Sequence, residues 1–209
     1  MRLLHKHHFQ TALDVGSGTG FYSRFLENYV PQVVGVDISS QMLRIAGEKS
    51  KSTFVNADFL QYHSDVQFDF ALSARTLSHI KSVSEFLRYL DINTHDGASI
   101  IITDIHPRHN YYKTRFELNT ETIEIETYKH EMTEIIGEIL SSFSINVMYK
   151  EFEFSNLQDK WFSSEFNSVM NSVDPVFYVI AFRKHDLFDK SVREYLTGVL
   201  KFNSATSGS

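Results

Sequence analysis

The chain has no cysteine, which excludes disulfides, thiolate metal sites and a cysteine nucleophile. That absence fits a reducing compartment, and a cytoplasmic location is expected. Positive charge is in deficit. Twenty Lys and Arg face 26 Asp and Glu, for a net charge of −6, which is the wrong sign for a general binder of phosphate backbones, so no nucleic-acid partner is expected. No apolar run approaches the ~20 residues of a membrane span, so no membrane partner is expected either. Met1 to Gln10 are too polar and too rich in histidine for a secretory signal. Internal repeats, low-complexity blocks and linkers are also lacking. What the 209 residues do have, 42% hydrophobic and 14% aromatic content, suffices for one buried core.

Short β-rich runs alternate with helical patterns, the signature of an α/β sheet with helices on its faces. Thr11 to Val15 is apolar and runs into Gly16-Ser17-Gly18-Thr19-Gly20. Phe21, Phe25 and Tyr29 then form a helical stripe stopped by Pro31. Strands are predicted over Gln32 to Ile38, Thr53 to Val55 and Phe68 to Leu72. Ser39 or Ser40 can cap the helix carrying Met42, Leu43 and Ala46, and Ser82 with Glu85 has capping-box form ahead of Val83, Phe86, Leu87 and Leu90. Asp96-Gly97 is predicted to turn the chain into a buried strand over Ala98 to Ile105.

The second half is less regular. Glu121 to Tyr128 alternates like a strand with one wet face, which accounts for the acids as far as Glu131. Ile135 to Phe143 restores a helix, and Ile145 to Phe154 and Val176 to Phe182 are strands. Helices are expected over Leu157 to Met170 and from Leu187, before the polar tail Asn203 to Ser209. Trp161, Phe162 and Phe166 have core spacing, with the roof of a substrate pocket as the competing reading.

The glycine-rich turn is the most informative segment. Glycines between a strand and a helix let backbone approach a ligand. Asp14, two residues before Gly16, suits a ligand bearing an ammonium group and would repel a pyrophosphate. The place of the third dinucleotide glycine holds Phe21, which disfavours a nicotinamide-dependent oxidoreductase. Asp37 lies 21 residues past Gly16, where a carboxylate accepts both hydroxyls of a ribose. Asp58 follows the third strand and can accept from an adenine amino group while Phe59 or Met42 covers a ring face. Three acids at the ends of three successive strands share one rim of an open sheet.

In Leu13-Asp-Val-Gly-Ser-Gly-Thr-Gly20, Val36-Asp-Ile-Ser39, Asn56-Ala-Asp58, Phe68-Asp-Phe-Ala-Leu-Ser73, Thr76-Leu-Ser-His-Ile80 and Ile101-Ile-Thr-Asp-Ile-His-Pro107, the chain resembles the class I S-adenosylmethionine-dependent methyltransferases, most of all those acting on small molecules. The resemblance implies a Rossmann-like sheet of seven strands, mostly parallel, in the order 3-2-1-4-5-7-6 with the last antiparallel and helices on both faces. It implies a methyltransferase domain over residues 1–185, followed by a C-terminal helix and polar tail over 186–209. Its cofactor would be S-adenosyl-L-methionine. Gly16, Ser17, Gly18 and Gly20 would cradle the methionine end, with Asp14 near the ammonium. Asp37 would hold the ribose, Ile38 and Met42 would flank adenine, Asp58 and Phe59 would close its edge, and Ser73 would lie beside the sulfonium.

The implied reaction moves a methyl group to oxygen or nitrogen of a small organic acceptor, uncharged or cationic. It needs alignment and exclusion of water, with a base only where the acceptor keeps its proton. His79 and His106, both just past strand ends, are the leading candidates for that base, ahead of His130 and Arg75. Only ten residues precede Thr11, whereas the family covers its cofactor with a helix there. Cover would come from His106 to His130, from the helix near Trp161, or from a homodimer or partner subunit. The competing reading is a non-catalytic cofactor-binding partner or regulatory subunit. Asp69 and Asp104 read as solvated or capping carboxylates, Tyr111 and Tyr112 as a loop, and His5, His7 and His8 as an exposed tail with no metal.

Overall fold

The computed structural model describes residues 8–109, 114–118, 121–143, 147–153 and 175–184. At its centre is β1 (Thr11–Val15), in parallel register with β2 (Gln32–Asp37) on one side and β4 (Phe68–Ala74) on the other. β3 (Thr53–Asn56) extends the sheet beyond β2, and β5 (Thr94–Ile105) beyond β4, both parallel. Two further strands, β8 (Val147–Glu153) and β9 (Pro175–Arg183), complete the order β3-β2-β1-β4-β5-β9-β8, with β9 antiparallel to both neighbours. This is the expected topology. The numbering differs only because two strands intervene after β5.

Those two, β6 (Thr114–Leu118) and β7 (Glu121–Ile125), pair with each other in a separate two-stranded sheet. The alternation from Glu121 did signal a strand, but in a hairpin outside the main sheet rather than at its edge. A second departure concerns Asp96-Gly97, which does not break β5. Gly97 takes φ +86 within the strand, its N–H donates to the Lys184 carbonyl (2.6 Å), and the Lys184 N–H donates to the Ala98 carbonyl (2.8 Å). The left-handed glycine therefore makes a kink that β9 bridges, and the slip of register between Phe68 and Phe70 against β5 absorbs the extra residues.

Period-two side chains sort the core into two layers. Leu13, Val15, Val34, Val36, Ile100 and Ile102 meet Phe86, Leu87 and Leu90 of α3 (Val83–Asn93) and Ile135 and Ile139 of α4 (Met132–Ser142). Ala12, Val33, Phe70 and Leu72 meet Leu26 of α1 (Phe21–Leu26) on the opposite layer. The Ser82 hydroxyl accepts the Glu85 N–H (3.2 Å) at the start of α3. Ser39, not Ser40, caps α2 (Ser40–Lys49) by accepting from Met42. Such caps each contribute about 1 kcal/mol. α1 is shorter than the stripe to Tyr29 predicts, because Asn28 and Tyr29 turn back on the carbonyls of Phe25 and Leu26. At the edge opposite the candidate site, Asp69 accepts from the N–H groups of Gln10 (2.8 Å) and Thr11 (2.9 Å) and so has the expected capping role.

No helix among the described residues is long and apolar enough to cross a membrane. The helices expected near Trp161 and beyond Leu187, the tail, the boundary at residue 185, and Tyr111 and Tyr112 lie outside the described residues.

Candidate functional site

The C-terminal ends of β1, β2, β4 and β5 form one rim, and the glycine turn opens it. The Gly16 and Ser17 N–H groups both donate to the Val36 carbonyl (2.8 and 3.1 Å), which ties the turn to β2. Gly16 has φ +70, and a Cβ there would lie 2.0 Å from Thr76 Oγ1. That hydroxyl is itself held by the Val15 carbonyl (3.0 Å). Gly18, at φ +53, has a different constraint. A Cβ there would meet only Met42 Sδ, at 3.6 Å, so the turn is open on that side.

Asp37 is half-buried, and its two oxygens accept from the N–H groups of Gly18 (2.8 Å) and Ser39 (2.8 Å). It braces the glycine turn against the start of α2, and each oxygen keeps a lone pair for a further donor. Met42, half-buried, and Ile38, 74% exposed, stand beside it. Asp58 caps the one-turn 3-10 helix Phe59–Gln61 by accepting from Leu60 (2.9 Å). Phe59 follows directly. It is buried among core residues against Phe86 and Tyr89, with centroids 5.6 and 6.3 Å away, so its ring packs into the α3 layer.

Three buried polar groups in this half carry an energetic signature. The hydroxyls of Ser17 and Ser73 have no hydrogen-bond partner among the described residues, although both side chains are buried. Such a group costs about 1–3 kcal/mol unless something binds it. Asp14, 1% exposed, accepts from the Ser23 hydroxyl at 2.6 Å. Burial nevertheless pushes its pKa up to about 6, with a smaller push from the Asp37 charge. A cation brought alongside would hold it ionised.

Past β4 the chain bends sharply. Arg75 adopts φ +58, the one left-handed non-glycine residue among those described, and its N–H donates to the Thr103 carbonyl (2.8 Å). The 3-10 turn Leu77–His79 follows, held by Asp104 at the end of β5. One oxygen of Asp104 accepts the Ser78 N–H (2.9 Å) and the other the Ser78 hydroxyl (3.1 Å). Asp104 is thus a capping carboxylate, but one buried to 1% exposure, and burial raises its pKa. Its position on the same strand face as Ile100 and Ile102 was the available signal.

The two leading histidines differ in their surroundings. His106 is 2% exposed and both ring nitrogens are taken: Nδ1 accepts the Arg108 N–H (3.2 Å) and Nε2 donates to Glu151 (3.1 Å). Tyr149 and the Arg108 guanidinium also donate to Glu151, and burial lowers the His106 pKa. In this arrangement His106 is a neutral link between β5 and β8, without a lone pair to offer. Glu151 and Tyr149 carried no sequence signal, because only the pairing of β8 with β9 brings them to this rim. His79 is exposed, and its Nδ1 donates to the Glu126 carbonyl (3.3 Å). His130 Nε2 donates to the Ile80 carbonyl (2.7 Å). Among the described residues no cluster of histidine and acidic side chains could hold a metal ion. His8 is exposed, while His5 and His7 lie outside the described residues.

A family model described as a methyltransferase domain matches residues 13–102, the span from the glycine turn to the middle of β5. An uncharacterized methyltransferase of Alkaliphilus oremlandii is 29% identical over 153 residues, covering 66% of this chain and 70% of its own. Among solved structures, an S-adenosylmethionine-dependent methyltransferase from Mesorhizobium loti superposes with a TM-score of 0.64 at 17% identity, over 88% of this chain and 96% of that one. The N-methyltransferase NodS of Bradyrhizobium japonicum, solved with S-adenosyl-L-homocysteine, gives 0.59 at 11% identity over 88% and 82%.

Proposed function

We infer, from the premise that this chain belongs to the class I S-adenosylmethionine-dependent methyltransferases, that it methylates oxygen or nitrogen of a small organic acceptor. The chain's own residues fit the cofactor. Gly18 leaves open space where a side chain would intrude, and Ser17 and Ser73 each hold a buried hydroxyl without a partner. Those two hydroxyls, one within the glycine turn and one near the end of β4, are the observation that carries the reading.

Gly16, Ser17, Gly18 and Gly20 would receive the amino-acid end, and Asp14, held ionised by it, would face the ammonium. Asp37 would accept the ribose hydroxyls through the lone pairs its two backbone contacts leave, Ile38 and Met42 would line the adenine, and Asp58 would lie at its edge. Phe59 would contribute only by packing beneath that edge. Ser73 would stand beside the reacting centre. When bound, S-adenosylmethionine supplies a methyl group that its sulfonium already activates, so the protein's task is alignment and exclusion of water. His79, exposed and with Nε2 uncommitted among the described contacts, is the group that accepts an acceptor's proton. His106 shapes the rim by joining β5 to β8.

The negative net charge favours an uncharged or cationic acceptor. Calorimetry with S-adenosylmethionine, followed by assay of S-adenosylhomocysteine over a panel of phenols, carboxylic acids and amines, tests the reading. Tight binding with turnover on a phenol or amine is the expected result. No affinity for the cofactor would overturn it, and affinity without product anywhere in the panel would point to a non-catalytic subunit.

A further inference from the structure

The segment that follows the β6–β7 hairpin is fastened to the turn carrying His79. The Tyr128 N–H donates to the Ser78 carbonyl (2.7 Å), His79 Nδ1 to the Glu126 carbonyl (3.3 Å), and His130 Nε2 to the Ile80 carbonyl (2.7 Å). From below, both oxygens of Asp104 grip Ser78, and one of them also accepts the Ile105 N–H (2.7 Å). His79 is thus held on one nitrogen, between a buried carboxylate under its turn and a main-chain carbonyl at its ring.

We propose that Asp104 and the Glu126 carbonyl are the positioning groups for His79: Asp104 fixes the turn through Ser78, and the carbonyl fixes the proton on Nδ1. This rests on the reading of His79 as proton acceptor and deepens it. A carbonyl oxygen only accepts, so Nδ1 must carry the hydrogen and the lone pair must lie on Nε2. When an acceptor O–H or N–H forms its bond to the methyl carbon, the electrons of the carbon–sulfur bond go to sulfur. The acceptor's proton passes to Nε2. The imidazolium then keeps its Nδ1 donor bond, lies in the field of the Asp104 charge, and loses its proton to water, to which His79 is exposed.

The test is nitrogen-15 NMR of the histidine side chains in the full-length, cofactor-free chain. The native protein is expected to show His79 as the Nδ1–H tautomer. Asp104→Asn, which keeps the shape and removes the charge, is expected to give a mixture of tautomers and a kcat about 10–100-fold lower on a phenol or amine probe, with cofactor affinity and acceptor KM within twofold. If Asp104→Asn does not fold, Ser78→Ala, which removes one of the two links to Asp104, carries the test with a smaller loss of the same kind. An Nε2–H tautomer in the native chain, or an unchanged tautomer and kcat in the folded variant, would overturn the inference. His79→Gln probes the underlying reading separately. If it turns over at the native rate, the base assignment fails; if it alone slows the reaction, the assignment stands and only the positioning role falls.

Discussion

The two halves of the rim treat buried polar groups in opposite ways. On the side of β1, β2 and β4, Ser17 and Ser73 bury hydroxyls with nothing to bond, and Asp14 is buried at a cost in its ionised form. On the side of β5, β8 and β9, burial comes with satisfaction. Asp104 has Ser78 and Ile105, and His106, Tyr149 and Arg108 converge on Glu151. On the proposed reading, the unsatisfied groups are those that would meet the cofactor, whereas the satisfied ones hold the fold and shape the space beside it.

The contrast breaks first at Glu151. Replacing it with Ala strips the partner from His106 and Tyr149 together, so a loss of about 3 kcal/mol and a Tm lower by roughly 6–12 °C are expected by calorimetry, with cofactor affinity preserved. A fall in affinity without a fall in Tm would erase the distinction.

Asp14→Asn sharpens the other side. The folded protein binds the Asp14 proton up to about pH 6, while the unfolded chain releases it near the ordinary carboxyl value of 3.8. Its contribution to stability is therefore present below about pH 4 and is lost as pH rises to 6, amounting to about 3 kcal/mol. The difference between native and Asp14→Asn unfolding free energies, measured in urea from pH 4 to 7, should trace that loss and flatten above 6. Acids with lowered pKa, Glu27 and Glu151, titrate in the opposite sense and cancel in the difference.

Asp37→Ala is expected to weaken S-adenosylmethionine about 100-fold, or ~2.7 kcal/mol, in a titration calorimeter, since it removes the proposed ribose acceptor and the brace on Gly18. Ser73→Ala is the smallest effect and the most diagnostic. Deleting an orphan hydroxyl should leave Tm equal or slightly higher while affinity drops roughly fivefold to tenfold.

The first half was legible because its signals are local. Glycines mark the turn after β1, Ser39 and Ser82 mark helix starts, and Asp37 falls a fixed distance along the chain. Sequence places Phe59 beside Asp58 but does not tell which way its ring turns, and the 3-10 turn aims it at Phe86. Asp96-Gly97 has the chemistry of a turn, and only the late arrival of Lys184 converts it to a kink inside β5. The alternation from Glu121 gave a strand but not its partner, which lies in the preceding residues rather than the main sheet. Glu151 acquires meaning through registers across β5, β9 and β8, contacts between residues tens of positions apart that no local pattern encodes.

Thr76 and Gly16 share a single volume. Because the methyl and hydroxyl of one fill the room that any side chain at the other would need, the two positions can change only in concert. Relatives that abandon this glycine should carry a smaller residue opposite it, and an engineer wishing to redraw the first turn must begin just beyond the fourth strand, at Thr76.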